Sequence, residues 1–182
     1  DFHYLLDEFA DLKVIRFRVP GWDNLSLRQK EYAYHLSEAA KLGRDITWDQ
    51  YCKWNLPIRH VVEDILNEYE GDRECADFQN FTVYAKRLFF ANGIHHHYSE
   101  DKFFPECPKE YFQSLMEAVG DGEQATELLE VIYSPGIYPQ RRSTSKTGDI
   151  VELSAVNFYD GVTREEVDKY YNSMMDPNDK TP

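Results

Sequence analysis

The stretch Ile58-Arg59-His60-Val61-Val62-Glu63-Asp64-Ile65-Leu66-Asn67-Glu68-Tyr69 decides the fold class. Ile58, Val61, Val62, Ile65, Leu66 and Tyr69 recur at i, i+3, i+4 and i+7, which gathers apolar side chains on one side of a 3.6-residue helix. Gly71 closes the segment. Downstream, Asp77 can cap a second such helix, with Phe78, Phe81, Tyr84, Ala85, Leu88 and Phe89 on one face. Asn92-Gly93 ends it, because both residues tolerate the left-handed backbone of a helix terminus.

Working outward, Ser26-Leu27-Arg28-Gln29 reads as a capping box opening a helix that stops at Gly43. Thr47-Trp48-Asp49-Gln50 repeats the pattern for a short helix ending before Pro57. Pro108 suits the first turn of a helix carrying Tyr111, Phe112, Leu115 and Met116. Another helix is expected from Glu123 to Tyr133, and Thr163-Arg164-Glu165-Glu166 opens one carrying Val167, Tyr170, Tyr171 and Met174. Residues 94–107 read as irregular. Residues 138–149, with Arg141, Arg142 and Lys146, read as a mobile basic loop, and Val151 to Phe158 has strand character. The fold class is therefore predominantly α, an α+β chain with a minor β part. Residues 1–182 form a single region, with 177–182 expected to be an interrupted linker.

Aromatic residues make up 15% of the chain, which argues for a packed core over disorder. A formal net charge of −13 repels phosphate backbones, so nucleic acid is not an expected partner. No apolar run is long enough to span a bilayer, so no membrane partner is expected either. The chain opens on Asp1 without Met, which is read as an internal start; a targeting segment would have been lost with it. Cys52, Cys75 and Cys107 are widely spaced and read as free thiols. The compartment is left open, the cytoplasm being the leading reading.

The chemistry concentrates in Asn92-Gly93-Ile94-His95-His96-His97-Tyr98. Three adjacent histidines suggest a metal, but neighbours on a helix point about 100° apart. On a strand, His95 and His97 share a face while His96 turns away. Two ligands fall short of a catalytic zinc site, and no His-Glu-x-x-His spacing occurs. Either the loop is a recognition surface beside Tyr98 and Lys102, or its imidazoles are satisfied locally. No nucleophile elbow or phosphate loop is present. No catalytic residue, metal ligand or cofactor is assigned to this chain.

The runs Phe9-Ala10-Asp11-Leu12, Val19-Pro20-Gly21, Leu25-Ser26-Leu27 and Gly43-Arg44-Asp45 resemble the N-terminal region of the dipeptidyl peptidase III family, its bacterial branch above all. The similarity continues through Asn92 to Ser99, Lys102-Phe103 and Pro105, and resumes at Asn157-Phe158-Tyr159-Asp160-Gly161-Val162-Thr163. It covers nearly the whole chain and is weakest over 120–150. The resemblance implies the helical N-terminal portion of one lobe of a two-lobed zinc metallopeptidase that releases dipeptides from oligopeptide N-termini. It implies that zinc belongs to the intact enzyme, held later in the polypeptide by a His-Glu motif and a further Glu. It further implies that His97 and Tyr98, with His96 and Ser99 behind them, line the substrate cleft. The partners so implied are an oligopeptide and the remainder of the same polypeptide. A different class of reading is a stand-alone helical binding module without enzymatic activity.

Overall fold

A computed structural model describes residues 2–176 of the chain. The linker-like stretch expected at 177–182 lies outside the described residues. Among the described residues there are seven α-helices: α1 (Leu27–Leu42), α2 (Arg44–Tyr51), α3 (Asn55–Glu68), α4 (Ala76–Ala91), α5 (Lys109–Ala118), α6 (Gly122–Tyr133) and α7 (Arg164–Met174). The strands β1 (Leu5–Phe9) and β2 (Leu12–Ile15) form an antiparallel hairpin. The chain is predominantly α, as its periodicities predict.

The apolar stripe of α3 buries Ile58, Val61, Val62 and Ile65. That of α4 buries Phe78, Phe81, Tyr84, Ala85 and Leu88. These faces meet Phe112, Leu115 and Met116 of α5 and Leu128, Leu129 and Ile132 of α6. Aromatic rings run through the middle. Phe81 packs edge-on against Phe112 with centroids 5.0 Å apart, and Tyr84 meets Phe103 at 5.6 Å. Each fully buried side chain of this size contributes about 1.5–3 kcal/mol, so the stability of the molecule resides in α2–α6. Neither α1 nor α7 buries any residue. Tyr32, Leu36 and Leu42 of α1 and Tyr170, Tyr171 and Met174 of α7 are all exposed.

The capping boxes at Ser26–Gln29 and Thr163–Glu166 are both formed, each with reciprocal side-chain and backbone bonds. The one expected at Thr47–Gln50 is not. Gly43 adopts right-handed helical angles and leads from α1 straight into α2, so Thr47 already lies inside a helix. Pro57 falls in the first turn of α3, where its missing N–H has no helical acceptor to serve.

The minor β part also sits elsewhere than expected. Residues 151–153 form a turn and Asn157–Tyr159 a 3-10 helix, so Val151–Phe158 is not a strand. Val151, Ala155 and Val156 are buried nonetheless, and it is that burial which the β-branched residues signalled. The strands lie at residues 5–15, where Ala10 takes a positive φ of 48° at the turn. Lys86 of α4 anchors this hairpin, its Nζ 2.7 Å from Asp7 Oδ2. Among the described residues no helix is long and apolar enough to cross a membrane.

Candidate functional site

The segment between α4 and α5 is ordered by bonds of its own. Asn92 ends α4 in the left-handed conformation, with φ 55°, and Gly93 follows at φ 148°. The chain then folds back on itself. Phe103 N–H donates to Ile94 O at 3.1 Å, and His96 N–H donates to Asp101 O at 2.8 Å. Residues 97–100 form the tip of this narrow loop, and Glu100 N–H closes it by donating to His96 O at 3.0 Å. The segment 94–107 holds no helix or strand, as expected, but residues 94–103 of it pair into a narrow hairpin through an isolated bridge between His95 and Lys102.

The three histidines part company completely. His95 is 2% exposed, and its Nε2 lies 2.9 Å from the Tyr138 carbonyl oxygen. A carbonyl only accepts, so Nε2 carries the proton and Nδ1 is a bare acceptor. That Nδ1 is buried without a partner. Burial pushes the imidazole down to about 4, and nearby Lys102 and Arg141 add to the effect. His96 is half-buried and accepts at Nδ1 from the backbone N–H groups of Tyr98 and Ser99, at 3.2 and 3.1 Å. Its Nε2–H therefore faces Asp11 Oδ2, 3.1 Å away on the N-terminal hairpin. His97 is exposed, with its ring 5.0 Å from Phe90 and 4.4 Å from His96. The strand geometry that would put His95 and His97 on one face is not realised.

These imidazoles do not fit a zinc ion. The nitrogens of His96 are both engaged, the one free nitrogen of His95 is enclosed, and His97, packed by its ring against Phe90 and His96, brings a single imidazole to the surface. Among the described residues no group of three His, Cys, Asp or Glu side chains is placed to hold a metal.

Of the residues expected at the cleft, His97, Tyr98 and Ser99 share the loop tip. Tyr98 is 87% exposed. Ser99 Oγ accepts from Asp101 N–H at 3.3 Å, and His96 is committed to holding the turn. The arrangement presents a phenol and an imidazole to solvent on a base that cannot easily move.

Three anchors supply that base; of these the sequence points to Lys102 alone, and to a recognition role, while Asn55 and Glu100 carry no local signal. Asn55, fully buried at the start of α3, donates from Nδ2 to Trp48 O at 3.0 Å and accepts at Oδ1 from Ile94 N–H at 3.1 Å. Lys102 donates from Nζ to the carbonyls of Val131, Ser134 and Ile137. Glu100 takes Arg141 and Arg142 together, with Arg142 Nε 2.9 Å from Oε2. The bonds from Arg142 and Arg141 hold the Glu100 carboxyl down to about 2. Arg141 is buried, so residues 138–142 are a pinned strap and not the solvated loop expected there. Arg141 N–H and Lys102 N–H donate to Glu100 O and Pro139 O, stitching the strap to the hairpin. Ion pairs separated by 41 residues leave no mark in a local pattern.

His95 makes the site acid-sensitive. A histidine titrates near 6.5 when unfolded, and near 4 here. The unfolded chain therefore binds the extra proton first. The stabilisation is complete above about pH 6.5 and is lost progressively towards about pH 4, amounting to about 3 kcal/mol. Urea unfolding across that window is expected to show the loss, and His95→Gln, which keeps a donor to Tyr138, should flatten it. An unchanged slope in the variant would place the titrating group elsewhere.

Burial pushes the Cys52 thiol up to about 11 and raises Cys107 as well, so neither is an activated nucleophile. No protein-family model matches the chain, and no curated protein matches it.

Proposed function

We propose that this chain is the N-terminal, substrate-lining part of a dipeptidyl peptidase III-like zinc exopeptidase, which removes dipeptides from the N-termini of oligopeptides. The observation that carries this reading is the segment Asn92–Ser99, the most specific part of the resemblance, which forms a braced hairpin with Tyr98 at its tip. Such a hairpin suits positioning: an aromatic ring held in place can pack on a substrate side chain while its hydroxyl makes one directional contact. His97 lies beside it, and His96 and Ser99 set its angle. Zinc, the general base and the remaining substrate contacts belong to the remainder of the same polypeptide. The exposed apolar side chains of α1 and α7 support that partnership, since surfaces of this kind mark places where protein meets protein. Neither nucleic acid nor a membrane enters this function.

In the enzyme containing this chain, Tyr98→Ala is expected to raise KM about tenfold with little change in kcat, the pattern of lost uniform binding. The unfolding midpoint should hold to within about 0.5 kcal/mol, because the side chain is almost wholly exposed. Unchanged kcat/KM on dipeptidyl substrates would remove Tyr98 from the cleft. Residues 1–182 alone should release no dipeptide.

A second reading, a stand-alone helical binding module, has one observation in its favour: α2–α6 close a continuous core among themselves. Light scattering during thermal unfolding separates the two. A module melts as a monomer, whereas a part of a larger lobe self-associates through α1 and α7.

A further inference from the structure

Beside the strap lies a recess of about 160 Å³ lined by Gln50, Tyr51, Arg141, Arg142, Val156 and Phe158. Its charge is unbalanced. Two guanidinium groups meet a single carboxylate, leaving one positive charge in a protein whose net charge is −13. Glu100 engages Nη2 of Arg141 and Nε and Nη2 of Arg142, so both guanidiniums keep donors beyond the clamp among the described residues. Arg141 is held rigidly, its Cζ 4.2 Å from the centroid of the Tyr51 ring and its backbone bonded to Glu100. The remaining wall is apolar, formed by buried Val156 and exposed Phe158.

We propose that this recess binds a small carboxylate carrying an apolar group, the chemistry shared by a free organic acid and the C-terminal end of a peptide. A planar, fixed guanidinium suits the two oxygens of a carboxylate. An engineered cavity of about 150 Å³ accepts benzene, so the volume fits one ring or a short side chain behind the acid group. The site rests on these six residues and on nothing in the peptidase reading, so either can fail without the other.

Calorimetric titration of the 182-residue chain with benzoate tests it. Benzoate should bind in the millimolar range, and benzamide, of nearly the same shape but uncharged, at least about tenfold more weakly. Gln50→Glu sets a competing carboxylate at the exposed edge without touching the Glu100 clamp. It should weaken benzoate about tenfold and leave the unfolding midpoint in place. Equal binding of benzoate and benzamide overturns the proposal, as does an unaffected Gln50→Glu variant. Inorganic phosphate binding as tightly as benzoate also overturns it, for the apolar wall would then select nothing. An N-acetylated dipeptide with a free C-terminus that outbinds both benzoate and its own amide supports the site and identifies a peptide end. One that merely equals benzoate supports the site for free acids.

Discussion

Gly93→Ala is expected to cost about 3–5 kcal/mol, a large part of the roughly 5–15 kcal/mol that stabilises an ordinary domain. Two effects combine. At φ 148° an alanine is strained by its own backbone. Its Cβ would also stand 2.2 Å from Asn55 Nδ2 and 2.6 Å from Asn55 Cγ. That amide cannot swing aside, because it is fully buried and bonded at both ends to Trp48 O and Ile94 N–H. Each of those bonds, once broken, leaves a buried polar group unsatisfied at about 1–3 kcal/mol. Urea unfolding measures the loss directly. Pairing the change with Asn55→Ala should give less than the sum of the two single losses, since the clash partner is then gone. A Gly93→Ala protein within about 1 kcal/mol of the wild type would show that Asn55 is not locked.

Lys102→Met should be nearly as damaging. Burial pushes the Lys102 ammonium down to about 8, so it is still charged at neutral pH. Its three donors are matched to three carbonyls at and beyond the end of α6: Val131 at 2.8 Å, Ser134, and Ile137 at 2.6 Å. Methionine keeps the bulk of the stem and removes every donor, so three acceptors lose their partner at once. A loss of about 3 kcal/mol is expected, or about 10 °C in Tm for a chain of this size. The helix face of α6 survives such a change, but the turn at 134–137 and the returning arm of the His loop lose their common post, while the backbone bond from Lys102 N–H to Pro139 O in the strap is kept. A variant that melts within about 2 °C of the wild type would show that other donors replace Lys102.

Much of the scaffold was legible in the sequence, because it is written in periodicity. The stripes of α3, α4, α5 and α6 follow from side-chain spacing, and the ends at Asn92-Gly93 and Tyr133 from the residue types that terminate helices. Two of three capping boxes were real. The third failed because a four-residue pattern does not report whether the helix has already begun, and Gly43 starts α2 early. The hairpin at residues 5–15 escaped notice. Leu5-Leu6 breaks the alternation, a register shift follows between Leu5 and Asp7, and its turn uses Ala10 where a glycine or asparagine would have signalled one.

The site was legible only at its surface. Tyr98 and the histidines stand out as residue types, but their separation into buried, bonded and exposed members depends on partners far along the chain. Asp11, Tyr138 and Asn55 lie 85, 43 and 39 residues from the groups they hold. Nothing within a local window ties Glu100 to Arg141, so a basic stretch that reads as solvated turns out to hold one buried arginine and one exposed one, both paired with Glu100.

The contrast between α1 and the core has a consequence for motion. A 16-residue helix that buries nothing has little beyond its capping box to hold it, and isolated helices of that length are marginal in water. In residues 1–182 on their own, hydrogen exchange is expected to be fast along α1 and slow along α4, whose amides open only with the core. The chain therefore has two clocks. One runs fast over residues 27–42. The other is slow through α3–α6, and the hairpin that displays Tyr98 keeps the slow time.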